Sequence, residues 1–343
     1  WTVLRGDRRG SAIDKGVMPA GMAMVRMGTT ADWAALKPDE RAQRARAMEA
    51  YAGMATAMDR EVGRLVAHLK STGAYDNTVF VFLSDNGAEA TDPMASTIAG
   101  LNARYHYDMR PQEQGRPGSL TAIGAGFASA AAAPLRGYKF TASEGGVRVP
   151  MIIAWPGNPA VRRGVVAGGF AHVTDVAPTL LAAAGVAAVA VPGKAVMTGH
   201  SLVPMLTGAS TAVRAADAPL GYELSGNAVV WKGDLKLVKN LRPYGDGAWH
   251  LYDIVRDPGE VRDLAGAMPG AFAAMQADYA EWAKREGVLA MPPGYSAPQQ
   301  ILDNAIDDLL WPRLRPLLMW LAGGLGLVVG GVVAWRRRRN AEL

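Results

Sequence analysis

Helical periodicity dominates residues 38–73. Apolar side chains recur there at steps of three and four: Met48, Tyr51, Ala55, Met58, Val62, Leu65, Val66 and Leu69. Such spacing places them on one face of an α-helix. Pro38 suits the first turn, Asp39 and Glu40 complement the positive end of the helix dipole, and Gly73 suits the C-terminal end. The pattern predicts a long amphipathic helix.

Two short apolar runs have a different character. Residues 78–84 form a continuous run rich in β-branched and aromatic side chains, and residues 149–155, "VPMIIAW", form a second one that ends at a Pro-Gly pair. Runs of this kind predict strands buried on both faces. A helix, a short loop and a buried strand in that order indicate an α/β fold. Ligands of such sheets bind beyond the carboxyl ends of strands, where Asp85 and Asn86 follow the first run.

The second half of the chain contains two segments with different patterns of predicted secondary structure. The segment "HVTDVAPTLLAAAG" predicts a strand end, a cap at Thr174 or Asp175, and a short helix that stops at Gly185. After about residue 218, two short β runs flank a Gly-Asp turn, a further strand follows, and residues 269–287 have a helical pattern. These elements predict a small α+β subdomain.

Residues 317–335 contain no charged side chain over 19 positions. A helix of that length spans about 28 Å, close to the hydrocarbon thickness of a bilayer. The four arginines at 336–339 follow at once, so the positive-inside rule places the C-terminus in the cytoplasm. The pattern predicts a single-pass inner-membrane helix with the bulk of the chain in the periplasm. Gly326 and Gly330 have the spacing of a helix-pairing face, which suggests self-association.

Composition excludes several classes of function. The 343 residues are 50% apolar, enough for a sizeable core, and they include no cysteine. Disulfides, zinc–thiolate sites and cysteine nucleophiles are therefore ruled out for this chain. The formal charge is +5, but four of those charges lie in the run 336–339, and the remaining sequence has no basic stripe of the kind that binds nucleic acid. The chain begins with Trp1 and has no signal-peptide pattern, so we expect a cut N-terminus.

The residues at the end of the first apolar run allow two interpretations. Asn86-Gly87 is a strong hairpin signal, whereas Asp85 and Asn86 together offer oxygen ligands to a hard cation. No strand of matching length follows at once, and the preceding run lacks the alternation of a hairpin. The residues by themselves leave a turn and a metal ligand equally open.

Several short motifs, which occur in the family's order, resemble the sulfatase family of the alkaline-phosphatase-like superfamily. They are "FLSDNGAE", "LRGYKFTASEGGVRVP" and "WPG", with weaker similarity in "HVTDVAPTLLAAAG", "GHSLVPMLTG" and "LYDIVRDPGEVRDLA". Together they cover roughly residues 45–265. The opening "WTVLRGDRR" and the long insert after Asp85 resemble the bacterial arylsulfatase branch.

The resemblance implies roles for three residues. Asp85 and Asn86 would be two ligands of a calcium ion, and Lys139 would bind the sulfate oxygens of a small sulfate ester. Calcium takes six to eight oxygen ligands, and a fixed ammonium stabilises the charge that builds on a sulfuryl group. Glu144 and the two glycines after it are interpreted as structural, with Arg148 as a partner of Glu144 or of another carboxylate.

The resemblance also implies parts that the chain lacks. The family's nucleophile is a formylglycine made from a Cys/Ser-x-Pro-x-Arg word. The nearest serine version here, Ser296-Ala-Pro-Gln-Gln, lacks the arginine. The remaining metal ligands would also come from upstream. We therefore expect the C-terminal portion of a sulfatase, inactive by itself, whose full-length form is a calcium-dependent sulfuric ester hydrolase.

Two alternatives stay open at this point. One is a phosphoryl or phosphonate hydrolase or transferase of the same superfamily, which a histidine beside Asp85 would favour, although the neighbour here is Asn86. The other is a non-catalytic, membrane-tethered module.

The expected fold is α/β. It comprises a partial sulfatase-type sheet flanked by helices (1–217), a small α+β subdomain (218–291), a linker (292–316), a transmembrane helix (317–335) and a basic tail (336–343).

Overall fold

The computed structural model, which describes residues 1–25, 27–28, 30–93, 97–189 and 192–341, consists of helices and antiparallel strands. The helices are α1 (Thr2–Asp14), α2 (Pro38–Ser71), α3 (Thr97–His106), α4 (Gly124–Ala131), α5 (Glu144–Val147), α6 (Val176–Ala183), α7 (Val203–Thr207), α8 (Pro269–Glu286), α9 (Ala297–Ala305) and α10 (Trp311–Ala341). The strands are β1 (Phe80–Leu83), β2 (Met151–Ala154), β3 (Leu220–Leu224), β4 (Asn227–Lys232), β5 (Leu235–Lys239) and β6 (Trp249–Asp253). The chain divides into two units, Trp1–Val288 and Leu289–Leu343.

Helix α2 confirms the predicted long helix, which begins at Pro38 and ends at Ser71. The Glu40 carboxylate accepts a hydrogen bond from the Lys37 backbone N–H at 3.0 Å, which caps the first turn. Its apolar stripe is nevertheless largely uncovered: Met58 and Leu65 are 51% and 54% exposed, and Ala47 is the one buried residue of this helix. Periodicity thus predicted the helix correctly, while burial of the stripe requires a partner that the described residues do not supply.

Strands β1 and β2 pair in antiparallel register, with Phe80 opposite Ala154 and Leu83 opposite Met151. Both strands were predicted, but burial on both faces was wrong. Phe82 is 43% exposed and Ile152 is 62% exposed. A sheet of two strands leaves much of each face uncovered, and within the described part of the chain no third strand joins this pair.

The second sheet has four antiparallel strands in the order β3-β4-β5-β6, and α8 packs against it. Its core on the α8 side contains Val230, Leu237, Leu251 and Met275, all buried. This arrangement confirms the strand–turn–strand and helix predictions for this segment. Strand β3 was not predicted; a Cβ atom at its Gly221 would lie 2.1 Å from the Trp282 ring, so glycine here makes room for an indole of α8.

The short helix α6 is present as predicted, and Asp175 lies at its N-cap position, although the Asp175 side chain makes no capping bond to this helix. Asp175 is fully buried and accepts backbone N–H bonds from His172 and His200, each at 2.8 Å. The Arg214 guanidinium pairs with the same carboxylate, with one Nη1–Oδ2 distance of 2.9 Å. Asp175 therefore holds three segments together and has a structural role.

The predicted transmembrane helix at 317–335 is wrong. This stretch is part of the continuous helix α10, but no helix of the described residues is long and apolar enough to cross a membrane. Glycines contribute little apolar surface, and α10 also includes Arg313, Arg315 and Pro316. Part of the predicted linker 292–316 is helical as α9. Self-association through Gly326 and Gly330 and a periplasmic location stay predictions.

A buried ion network ties α5 to the four-stranded sheet. The Lys236 ammonium lies 2.8 Å from Glu144 Oε1 and 2.8 Å from Glu260 Oε1, and all three side chains are at most 3% exposed. Burial alone would lower the pKa of Lys236, but the two carboxylates outweigh it and raise that pKa above its ordinary value. Burial raises the pKa of Glu260, and Glu144 adds to the rise while Lys236 opposes it.

Replacing Lys236 with methionine should destabilise the fold in a pH-dependent way. Without the cation the pKa of Glu260 rises further, so the folded variant takes up a proton that the unfolded chain does not hold at neutral pH. We expect a loss of about 3–5 kcal/mol in unfolding free energy at pH 7. The loss should shrink toward the unfolded glutamate pKa of about 4.3. Urea unfolding of both proteins at pH 7 and pH 4.5 measures this.

Lys232→Met is the matched control for that experiment. Lys232 pairs with Asp278 at 2.9 Å on a partly exposed surface, so its loss should cost less than about 1 kcal/mol. A Lys236→Met penalty of equal size at both pH values would contradict the assignment of a charge-balanced buried network.

Candidate active site

The chain makes a tight turn immediately after β1. The Ser84 hydroxyl donates to the Asn86 carbonyl at 2.8 Å, and the Asn86 N–H donates to Asp85 Oδ1 at 3.1 Å. Strand β1 pairs with β2, which lies far along the sequence, so Asn86-Gly87 is not the turn of a hairpin. The Asp85 side chain is exposed and that of Asn86 is partly exposed. The turn thus leaves oxygen-bearing side chains accessible at the end of a strand.

Glycines bring this turn into backbone contact with α5. The Gly87 N–H donates to the Gly146 carbonyl at 2.9 Å. A Cβ atom on Gly87 would lie 2.0 Å from the Gly145 oxygen, and one on Gly146 would lie 2.2 Å from the Thr141 oxygen. Since real Cβ atoms do not approach that closely, a side chain at Gly87 would push the turn away from α5, and one at Gly146 would push α5 away from the Thr141 segment.

The same packing brings Lys139 to the turn. Its backbone N–H donates to the Ala88 carbonyl at 3.1 Å, two residues after Asn86. The Lys139 ammonium lies 2.9 Å from Glu89 Oε2, and its side chain is 34% exposed. The structure therefore places all three predicted site residues on two segments that are hydrogen-bonded to each other.

Glu89 is a residue of this site that the sequence analysis did not single out. Burial alone would raise the pKa of Glu89, but hydrogen bonds from Thr91 and Lys139 hold it below its ordinary value. Its Oε1 accepts the Thr91 N–H at 2.7 Å. The residue lies within the word "FLSDNGAE", so its proximity to the motif was the available signal; only the fold showed its partner.

A cleft opens between the loop that precedes α5 and the four-stranded sheet. Its volume is about 220 Å³, and its walls include Arg136, Ser143, Tyr244 and His250. Burial raises the pKa of Tyr244, with smaller contributions from Tyr138 and from the charge of Glu89. The Tyr244 ring packs edge-on against that of Tyr138, the residue before Lys139, with ring centroids 6.1 Å apart.

The donor set at Asp85 and Asn86 fits a calcium ion in part. Carboxylate and amide oxygens are the ligands that calcium prefers, but Asp85 supplies at most two oxygens and Asn86 one, against the six to eight that the ion takes. No cluster of three or more His, Asp or Glu able to hold a metal is found among the described residues. The pair is therefore suited to form one side of a coordination shell.

Arg148 and two histidines have structural surroundings. Arg148 Nη1 lies 3.6 Å from Glu144 Oε2, so the predicted pairing is present, and Glu144 is buried in the Lys236 network. His172 Nδ1 lies 2.9 Å from Thr174 Oγ1 at the turn before α6. His106 is exposed at the end of α3, where its ring centroid lies 4.9 Å from that of Tyr105.

Comparison with known proteins places these residues in a family. A family model described as Sulfatase matches residues 23–186, which include Asp85, Asn86 and Lys139. A second model, described as the C-terminal part of N-sulphoglucosamine sulphohydrolase, matches residues 139–278. The chain belongs to the sulfatase family. The resemblance noted in the sequence is thereby confirmed, and the two matched segments overlap at the Lys139–α5 segment.

Individual sulfatases are similar over part of their length. An uncharacterised sulfatase of Schizosaccharomyces pombe is 30% identical over 305 residues, which are 86% of this chain and 54% of that protein. An arylsulfatase of Klebsiella aerogenes is 35% identical over 158 residues, 45% of this chain and 33% of that protein. Across these two sulfatases, the matches thus span from about a third to about a half of the relative's length.

A solved protein in complex with its substrate D-glucosamine-2-N,6-O-disulfate is 22% identical, with a TM-score of 0.40 over 68% of this chain and 38% of its own.

Replacing Gly87 with alanine should disrupt the contact between the turn and α5. The new methyl group would meet the Gly145 carbonyl, and relieving that overlap should cost about 1–3 kcal/mol of unfolding free energy. Gly53→Ala is the control, because nothing lies within 4 Å of a Cβ there in α2, and it should stabilise by about 0.5–1 kcal/mol. Urea unfolding distinguishes them; equal stability of Gly87→Ala and wild type would disprove the close approach.

Proposed function

We propose that this protein acts as a calcium-dependent sulfuric ester hydrolase of the arylsulfatase type. Asp85 and Asn86 contribute to the metal shell, and Lys139 binds the oxygens of the sulfuryl group of a small sulfate ester. The observation that carries the proposal is the backbone bond between Lys139 and Ala88, which holds the lysine beside the Asp85–Asn86 turn within the region matched by the sulfatase model.

The chemistry of sulfate esters requires cations at this place. As the ester bond to sulfur breaks, negative charge builds on the leaving oxygen and stays spread over the sulfuryl oxygens. A positive group that is already held in position stabilises that charge without reorganisation. Lys139 is partly sheltered, and the bond from its main chain to Ala88 anchors the lysine close to the Asp85–Asn86 turn.

The resemblance implies two further components of the reaction, a calcium ion and a formylglycine nucleophile. A calcium ion held in part by Asp85 and Asn86 would supply Lewis-acid stabilisation of the sulfuryl oxygens. The formylglycine nucleophile implied by the resemblance needs a Cys/Ser-x-Pro-x-Arg word that these 343 residues do not contain. The roles proposed for this chain are therefore metal binding and sulfate binding, and bond formation to sulfur is assigned to none of its residues.

The other functions considered receive less support. Asp85 is followed by Asn86 rather than by a histidine that would favour a zinc or manganese site, and both matched family models are of sulfatase type. A non-catalytic module would retain the fold but bind neither calcium nor sulfate at these residues. The experiments below separate these cases.

Asp85→Ala in the complete protein should weaken calcium binding at least about tenfold and lower turnover of an aryl sulfate. A carboxylate contributes charge as well as oxygens to a calcium site, so its loss should weaken calcium binding strongly. Calorimetric titration with calcium measures the first effect, and an aryl sulfate assay the second. Asp59→Ala, on the exposed surface of α2, is the control. Wild-type calcium affinity in Asp85→Ala would remove the ligand assignment.

Lys139→Ala should lower kcat for an aryl sulfate by about a hundredfold to a thousandfold, the range seen when one positioned electrostatic donor is lost. Thermal unfolding should change little because the ammonium is partly exposed. Lys15→Ala, at an exposed position after α1, controls for the loss of a positive charge. Unchanged kcat and KM in Lys139→Ala would end the claim.

A further inference from the structure

The Lys139 ammonium already has an anionic partner in this structure. Glu89 Oε2 lies 2.9 Å away, which is the distance of a charge-assisted hydrogen bond. The other oxygen of the same carboxylate accepts the Thr91 backbone N–H at 2.7 Å. The carboxylate is thus also held by a main-chain donor that does not depend on the lysine.

The backbone keeps these two side chains together. The Lys139 N–H donates to the Ala88 carbonyl, the residue directly before Glu89. A pair joined in this way forms with little loss of chain entropy, because the two main chains are already adjacent. Glu89 is 45% exposed and Lys139 is 34% exposed, so the pair is accessible to a dissolved anion.

We propose that Glu89 competes with sulfate for the Lys139 ammonium and thereby weakens the hold of the protein on its sulfate product. The inference rests on the proposed function, because it assumes that Lys139 binds sulfate. A sulfate ion that approaches the ammonium meets a carboxylate at the same cation. It must either displace that carboxylate or accept the repulsion between two anions.

The strength of the pair suits such an exchange. Partly exposed ion pairs contribute little net stability, since solvent screens the charges and both side chains lose rotamer freedom. A divalent anion bound also by a metal can displace such a partner, and the carboxylate can recapture the lysine when that anion leaves. Glu89 would in this way limit product inhibition. Glu89 acts through Lys139 and makes no bond to the reacting atoms.

The test measures inorganic sulfate binding to the complete protein in calcium-containing buffer by calorimetry, together with product inhibition by sulfate. Glu89→Gln keeps the shape of the side chain and removes its charge. We expect its sulfate Kd and its inhibition constant to fall about twofold to fivefold, the range that an exposed ion pair can account for. In a Lys139→Ala background the same substitution should leave the sulfate Kd unchanged.

A matched variant controls for the overall change in charge. Glu61 pairs with Arg60 and Arg64 on the exposed surface of α2, so Glu61→Gln removes one negative charge away from the candidate site. Its sulfate Kd should equal that of the wild type.

Each remaining outcome decides one of the two claims. If Lys139→Ala weakens sulfate binding but Glu89→Gln leaves it unchanged or weakens it, the competition is disproved while the role of Lys139 stands. Tightening by Glu89→Gln that persists without Lys139, or that Glu61→Gln reproduces, also overturns the competition. If Lys139→Ala binds sulfate as the wild type does, the proposed sulfate-binding role fails and the competition fails with it.

Discussion

Close backbone contact between glycines is the constraint on which the candidate site depends. Gly87 sits against the Gly145 carbonyl and donates its N–H to Gly146, so the turn after β1 and helix α5 touch main chain to main chain. No side chain larger than hydrogen fits between them. Because of this contact, the segment that carries Lys139 lies beside the segment that carries Asp85 and Asn86.

Helix α5 is held from its other side by charge. Glu144 begins that helix and accepts a bond from the buried Lys236, which also binds Glu260. The four-stranded sheet therefore helps to position the candidate site, because its Lys236 holds Glu144 at the start of α5. Buried ions are costly unless they are paired, and here two carboxylates share one ammonium while Arg148 lies at the edge of the network. The two matched family models together cover residues 23–278, a range that includes both sheets.

Local patterns predicted the elements well, and their surroundings poorly. The ends of α2, the presence of β1 and β2, the Gly-Asp turn and α8 were all visible in the sequence, because periodicity, caps and turn residues act over a few positions. The expected burial of β1 and the transmembrane helix were wrong. Burial depends on what packs against an element, and no helix among the described residues is long and apolar enough to cross a membrane.

The sequence by itself determined which reactive groups are present: an acid–amide pair after a strand and a lysine in a glycine-rich segment, with no thiol. It also contains the motifs that are shared with sulfatases. Only the tertiary structure decided that Asn86-Gly87 is not a hairpin turn, that Glu144 belongs to a buried ion network, and that Glu89 pairs with Lys139. The physical reason is distance along the chain. Residues up to 92 positions apart meet in these contacts, and no local pattern encodes which charged side chains will share a buried or half-buried space.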